Sequence, residues 1–182
     1  MCQAIEKKFL LADRTDSFIP SLKQMVEFID LNLPHNDKND GIKFKIKIIL
    51  TELINNALKH VKNAESTIHI LINNENIDIK KTDYGNRFNI NGLKVIINTP
   101  PGYKVQITSD ALHSVYAMFE NEFNFTFICE EKISGGVADY NDLMEHFGLL
   151  IISKSADKFT YDYNKLTGLN TFNVKILLNN MN

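Results

Sequence analysis

Five polar side chains in the stretch TELINNALKH, residues 51–60, are of types that bind metal ions or move protons. At about 100° per residue they share one face of a helix, with the apolar residues of the stretch on or near the other side. An Asn amide oxygen is a hard, neutral ligand for Mg²⁺, a Glu can orient or deprotonate a hydroxyl or a water, and a Lys adds a point charge for phosphate. This face predicts one wall of a nucleotide–magnesium site, formed by Glu52, Asn55, Asn56, Lys59 and His60.

The same face also fits a second interpretation, in which it is only the solvated side of an amphipathic helix. The residue types weigh against that interpretation, because Asn is a poor helix former and a solvated face more cheaply carries Glu, Lys or Gln. Two adjacent Asn residues in the middle of a helix lower its stability, so another explanation for their presence, such as a function, is needed. Both interpretations stay open on this helix alone.

Hydrophobic periodicity predicts the elements that must position this face. Helical spacing predicts helices at about 18–32, 42–62 and 111–120, one starting near 139–141, and an apolar helix after Gly148 that reaches Ala156. Strand composition and turn signals predict strands at about 6–12, 67–72, 77–80, 93–98, 103–108, 124–129, 159–164 and 171–178. Because helices and antiparallel strands are mixed without a repeat or linker, we predict one α+β domain with helices layered on a sheet.

Composition argues against several classes of protein. The chain has 182 residues, of which 44% are hydrophobic and 23% charged, as in an ordinary globular domain. Its net charge of −2 argues against a general nucleic-acid-binding protein. Cys2 and Cys129 form no disulfide framework, which favours a reduced, cytoplasmic setting. We expect neither a membrane span nor a zinc cluster, since no apolar run is long enough and the His residues lack the spacing.

Four stretches, in chain order, resemble motifs of the GHKL ATPases, which include gyrase, heat-shock chaperone ATPases, sensor histidine kinases and anti-sigma-factor serine kinases. Residues 52–60, with the pattern E-x-x-x-N-A-x-K-H, resemble the N-box. Residues 77–85 resemble the next motif, in which a strand delivers an Asp to the adenine amino group. Residues 145–157 resemble the glycine box and its helix, and residues 167–174 the closing strand. With Glu at position 52, the resemblance is closest to the stand-alone anti-sigma-factor kinases.

The resemblance implies roles for four residues of the helix that carries the N-box. Glu52 would be the general base or its electrostatic equivalent. Asn56 would hold Mg²⁺, while Lys59 and His60 would approach the phosphates of ATP. Taken without the resemblance, each of these side chains is equally compatible with a solvated helix face.

Further along the chain the resemblance implies four more site residues. Asp83 would read adenine with Gly85 beside it, Gly148 would lie at the phosphate end, and Thr171 would support adenine. Taken singly, Asp83 and Gly85 are only a turn signal, Gly148 a helix start and Thr171 ordinary strand composition. Their order along the chain carries more weight than any one of them.

The resemblance also implies a fold and a function. The fold would be a Bergerat-type two-layer sandwich of helices on a mixed, mainly antiparallel sheet, with a lid-like or inserted segment at about 87–147. The protein would be a cytoplasmic, ATP- and Mg²⁺-dependent regulator that transfers the γ-phosphoryl group to a partner protein or binds it in a nucleotide-dependent way. The regulators that it resembles often form homodimers.

Two departures from the family pattern motivate a competing hypothesis. Asn86-Arg87 stands where a second glycine usually follows Gly85, and His146 replaces the usual partner of Gly148. Because glycines give phosphates close access to the backbone, their loss favours a catalytically degenerate interaction module of the GHKL fold with little or no nucleotide binding. A third hypothesis, a hydrolase or another enzyme unrelated to nucleotides, lacks a nucleophile–base pair in the sequence.

Overall fold

The computed structural model describes residues 4–11, 15–33, 37–60, 65–88, 90, 100–132 and 140–178. A short 3-10 turn at Thr15–Ser17 leads into the first helix. In chain order the elements are β1 (Ile5–Leu11), α1 (Phe18–Asn32), α2 (Asp37–His60), β2 (Ser66–Ile72), β3 (Asn76–Tyr84), β4 (Lys104–Ser109), β5 (His113–Phe119), β6 (Asn124–Glu131), α3 (Tyr140–Ser155), β7 (Lys158–Asn164) and β8 (Leu169–Leu177).

All eight strands belong to one sheet, in the order β1-β2-β3-β8-β7-β6-β5-β4. Every described pair of neighbouring strands is antiparallel. The predicted fold class, a Bergerat-type two-layer sandwich of helices on a mixed sheet, is therefore wrong. The described chain is dominated by a wholly antiparallel sheet of eight strands, and three α-helices accompany it.

The sheet is wider than predicted because residues 100–132 form three strands. A helix was predicted at 111–120, but His113–Phe119 is strand β5. Val115, Ala117 and Phe119 are buried and alternate with more exposed residues, which is the period of a strand. The helix prediction failed because a short apolar run with few breakers fits either period, and pairing with β4 and β6 decided the outcome.

The other helices and most strands match the predictions closely. The predicted helices at 18–32 and 42–62 correspond to α1 and α2, and the two closing strands correspond to β7 and β8. The strand predicted at 93–98 lies outside the described residues. The helix that was predicted to begin after Gly148 is instead the second half of α3, which starts at Tyr140.

Strand alternation gives the sheet an apolar face and a polar face. On β3, Ile77 and Ile79 are buried, while Asp78 and Lys80 between and beside them are more exposed. The buried strand residues share one hydrophobic cluster with residues of all three helices, including Met25 of α1. None of the described helices is both long enough and apolar enough to cross a membrane.

Candidate functional site

The second half of α2 keeps its polar residues on one face, as the sequence predicted. Glu52, Asn55 and Asn56 are partly exposed and Lys59 is exposed, while the residues between them are buried or, at Leu58, partly buried. The positions i, i+3, i+4 and i+7 of a helix share one side, so these four side chains are neighbours. We call these four residues the α2 polar face. The side chain of His60 lies outside the described residues, and its predicted role at the phosphates stays a prediction.

Neither Asn amide of the α2 polar face has a protein partner among the residues that the structure describes. An Asn in mid-helix lowers helix stability slightly relative to Ala. Both side chains are partly exposed, so water can satisfy their amides, and a ligand can replace that water.

Glu52 lies at a close contact between α2 and α3. A Cβ atom added to Gly148 would be 2.6 Å from Glu52 Oε2, closer than atoms normally approach. Burial raises the pKa of the Glu52 carboxyl, and the Lys59 ammonium partly opposes that shift. Because a raised pKa makes a carboxylate a stronger base, Glu52 has a property that a general base needs.

The close contact with Glu52 gives Gly148 a role that the sequence did not predict. Gly148 lies inside α3, eight residues after Tyr140, and not at the start of the helix. Within a helix the backbone N–H normally donates to the carbonyl four residues earlier, so it is not available to a phosphate. Gly148 instead lets the Glu52 carboxylate lie directly against the α3 backbone.

Asp83 lies on the apolar face of the sheet, in a small cluster of polar side chains that interact with one another. Lys81 Nζ lies 2.5 Å from Asp83 Oδ2, and the two side chains are only 3% and 7% exposed. Asn170 Nδ2 donates to the other oxygen, Asp83 Oδ1, at 3.0 Å. Lys81 Nζ also lies 5.1 Å from the centre of the Phe172 ring. Each Asp83 oxygen therefore already has one protein partner, which the predicted contact with adenine did not anticipate.

The same network continues through Tyr161. Its hydroxyl donates to Asn170 Oδ1 at 2.6 Å and accepts from the backbone N–H of Phe88 at 2.9 Å. Burial raises the pKa of the Tyr161 phenol far above its usual value, so the hydroxyl stays protonated and can donate. We call Ser66, Lys81, Asp83, Tyr161 and Asn170 the Asp83 cluster.

Sequence reasoning missed Lys81, Tyr161 and Asn170 as partners of Asp83. One signal was present, because residues two apart in a strand share a face, which puts Lys81 beside Asp83. The contribution of Asn170 depends on strand β8 pairing with β3 in one register, Asn170 opposite Asp83. That pairing joins residues far apart in the chain, and local patterns do not report it.

Ser66 is the one unsatisfied member of the Asp83 cluster. It lies directly opposite Asp83 across β2 and β3 and is 3% exposed. Its hydroxyl has no hydrogen-bond partner among the described residues. A buried hydroxyl without a partner is costly, so this position can take a water or a polar ligand atom.

Gly85 and Thr171, the other two residues predicted near adenine, lie at different places relative to Asp83. A Cβ atom added to Gly85 would lie 4.0 Å from Asp83 Oδ1, an ordinary contact, so the surrounding chain does not require a glycine there. Thr171 pairs with Thr82, the neighbour of Asp83 in β3. Successive strand residues point to opposite faces, so Thr171 lies on the polar face, away from Asp83. The structure thus brings Glu52 to Gly148 and Gly85 to Asp83, and separates Thr171 from both.

The chemistry available differs between the two regions. The α2 polar face offers one carboxylate, two free amide groups and one ammonium, a set that suits a hydrated Mg²⁺ with phosphate oxygens. Among the described residues no group of three or more His, Cys, Asp or Glu side chains could hold a metal ion without other ligands. No protein-family model and no curated protein sequence matches the chain.

Proposed function

We propose that the protein binds ATP with Mg²⁺ at the α2 polar face and acts as a cytoplasmic regulator of a partner protein. One observation carries the proposal: Asn55 and Asn56 are partly buried without described partners, beside the desolvated carboxylate of Glu52. The resemblance of residues 52–60 to the N-box of the GHKL ATPases supports the choice of nucleotide and metal.

The residues of the α2 polar face fit the roles that such a ligand requires. Asn56 would supply a neutral oxygen to Mg²⁺, and the remaining positions of the ion would be filled by water and phosphate oxygens. Lys59, exposed at the end of the helix, would contribute a point charge near the phosphates. Glu52, with its raised pKa, would accept the proton of a Ser or Thr hydroxyl on the partner protein. The nucleotide, when bound, supplies the γ-phosphoryl group for transfer.

A second candidate function is favoured by the Asp83 cluster. Asp83 still has free lone pairs, but its side chain is only 7% exposed, so adenine would reach it only if the cluster opened, and a buried ion pair is expensive to open. This observation favours a protein-interaction module in which nucleotide binding is weak or lost. The two functions predict different responses to ATP.

Calorimetric titration with ATP and Mg²⁺ separates the two functions. We expect the wild-type chain to bind and Asn56→Ala to bind about tenfold more weakly or not at all, because one metal ligand is removed. Ala is the better helix former, so the variant is expected to fold. Asn74→Ala, at an exposed turn position, is the matched control and should bind like the wild type.

Two outcomes would contradict the proposal. The absence of any heat of binding for the wild type, together with no thermal stabilisation by ATP or ADP, would favour the interaction module. Equal affinities for the wild type and Asn56→Ala would place the nucleotide away from the α2 polar face.

A further inference from the structure

The polar face of the sheet carries a cavity of about 350 Å³. Short side chains, Asn173 of β8 and Thr160 of β7, lie in register with Lys80 of β3. Longer basic side chains surround them. We call this cavity the lysine groove, and its polar lining is His69, Lys80, Lys158, Thr160, Asn173 and Lys175, with Asp78 at one side.

Basic side chains face each other across the strands of the lysine groove, and one such pair consists of two lysines. Lys158 lies directly opposite Lys175 on β7 and β8, and His69 lies directly opposite Lys80 on β2 and β3. Like charges in directly opposed positions destabilise a sheet, and folding alone gives no reason to retain them. The arrangement is the one expected where an anion binds between the basic groups.

The carboxylates near the groove match its three lysines in number, but they do not all lie at ion-pair distance from them. Asp78 lies 3.6 Å from Lys175, with both groups more than 40% exposed, and Glu6 lies 3.1 Å from His69. Lys80 and Lys158 form no ion pair within 4.0 Å among the described residues. These two ammonium groups are therefore available to a ligand.

Asp162 is a third carboxylate beside the groove, and it attracts both Lys80 and Lys158 without lying within 4.0 Å of either ammonium group. Asn173 Nδ2 donates to Asp162 Oδ2 at 2.9 Å and makes a longer contact of 3.4 Å to Thr160 Oγ1. Since the Thr160 oxygen accepts a hydrogen bond, its proton is free to donate into the groove. The groove thus combines two unpaired ammonium groups with a hydroxyl donor.

We propose that the lysine groove binds a compact anion that carries a phosphate group. Ammonium and hydroxyl groups that converge on one point are suited to phosphate oxygens. The cavity volume lies at the lower end of small-ligand sites, which favours a small anion over a polymer. The net charge of −2 on the whole chain also disfavours a long polyanion. The phosphate could belong to a free metabolite or to a phosphorylated side chain.

The test is a titration with inorganic pyrophosphate in the presence of a chelator, followed by NMR chemical shifts and by thermal stability. We expect shifts centred on the groove residues and a rise in melting temperature. The double variant Lys80→Gln/Lys158→Gln should bind at least about tenfold more weakly, because it loses two charged donors. Lys23→Gln/Lys47→Gln removes the same charge from exposed helix positions and is the matched control.

Several results would overturn the proposal. One such result is an absence of binding at millimolar pyrophosphate. Another is an equal loss of pyrophosphate affinity in both double variants, because that would indicate a response to net charge alone. Affinity that grows with the length of a single-stranded oligonucleotide would indicate a polymer ligand. Asn56→Ala should leave pyrophosphate binding to the groove unchanged. The proposals for the groove and for the α2 polar face are therefore tested independently.

The source of the phosphate can be distinguished with two further probes. Glycerol phosphate represents a free metabolite, and a short peptide with one phosphoserine represents a modified protein. Tighter binding of either probe identifies the source, provided that Lys80→Gln/Lys158→Gln weakens it. Equal binding of the phosphopeptide and its unphosphorylated form would contradict phosphate recognition.

Discussion

The α2 polar face and the Asp83 cluster both hold polar side chains against apolar surroundings, but they differ in how those side chains are satisfied. In the cluster, Asp83 has Lys81 on one oxygen and Asn170 on the other. On α2, Asn55 and Asn56 have no described partners, and Glu52 has only the Coulombic attraction of Lys59. The charged and amide groups of the first region are satisfied by protein partners, with Ser66 as the exception, whereas those of the second are left to water or to a ligand.

This difference separates structural polar groups from groups that a ligand must complete. A fully satisfied buried network can hold neighbouring strands in one register, whereas an unsatisfied polar group costs stability until something binds. The motif resemblance put Glu52, Asn56 and Asp83 in one site. Their environments make the α2 residues the stronger candidates for ligand binding and indicate a structural role for Asp83. Among the described residues of the Asp83 cluster, Ser66 alone has a buried polar atom without a partner.

The largest expected effect that tests this comparison is the loss of Lys81. In Lys81→Met the Asp83 carboxylate would have to stay buried as a lone charge or take up a proton. Breaking a buried ion pair in this way costs about 3–5 kcal/mol of unfolding free energy. Denaturation by urea measures the loss directly.

Lys80→Met is the matched control for this prediction. Lys80 is the adjacent residue of β3, on the polar face and exposed, so its loss should change the unfolding free energy by about 0.5 kcal/mol or less. If both variants lost the same small amount, the Asp83 cluster would not be the structural element that its geometry indicates.

The sequence predicted the α2 polar face well because helical periodicity is local. Positions 52, 55, 56 and 59 lie within two turns, so spacing alone decides that they share a side. The same local reasoning placed β2 and β3 as a hairpin and the two closing strands. It failed where the deciding contacts join distant parts of the chain.

Two failures share this cause. Residues 113–119 became a strand because β4 and β6 pair on either side. Asn170, and not Thr171, reached Asp83 because the β3–β8 register sets which residue lies opposite. A single sequence does not encode such pairings in its local pattern. The error at Gly148 is of another kind: the helix start predicted near 139–141 is confirmed, but α3 continues through Gly148 to Ser155, where a separate helix was predicted to begin.

A smaller effect is expected where α3 touches the α2 polar face. Gly148→Ala gains helix propensity, as Gly41→Ala does on α2, and that gain is about 0.5–1 kcal/mol for an exposed helical position. At Gly41 an added Cβ meets nothing within 4 Å, but at Gly148 it would be 2.6 Å from Glu52 Oε2. The flexible Glu52 side chain can rotate away, so Gly148→Ala should still fold and gain less than Gly41→Ala.

The comparison of these two variants by urea denaturation reports on the contact itself. Equal gains would mean that Glu52 is not held against the α3 backbone. A smaller gain for Gly148→Ala that becomes equal in a Glu52→Ala background would assign the difference to Glu52. The displaced carboxylate should also weaken ATP binding if Glu52 belongs to the nucleotide site.

The smallest expected effect concerns the charge of Glu52 and depends on pH. Its pKa in the folded chain is raised above that of an exposed glutamate, mainly by burial, so the native state holds this proton more tightly than the unfolded chain does. The stability that this proton contributes is present below that value and is lost as the pH rises through the folded-state pKa. Glu52→Gln cannot ionise, and we expect it to be more stable than the wild type at neutral pH by a few tenths of a kcal/mol.

Denaturation at neutral pH and at about pH 4 tests the sign of this effect. The advantage of Glu52→Gln should shrink at the lower pH, where the wild-type carboxyl is increasingly protonated. Glu75→Gln removes the same charge from an exposed position and controls for net charge. A Glu52→Gln variant that is less stable than the wild type at neutral pH would mean that the carboxylate has a favourable partner, and the α2 polar face would then resemble the Asp83 cluster after all.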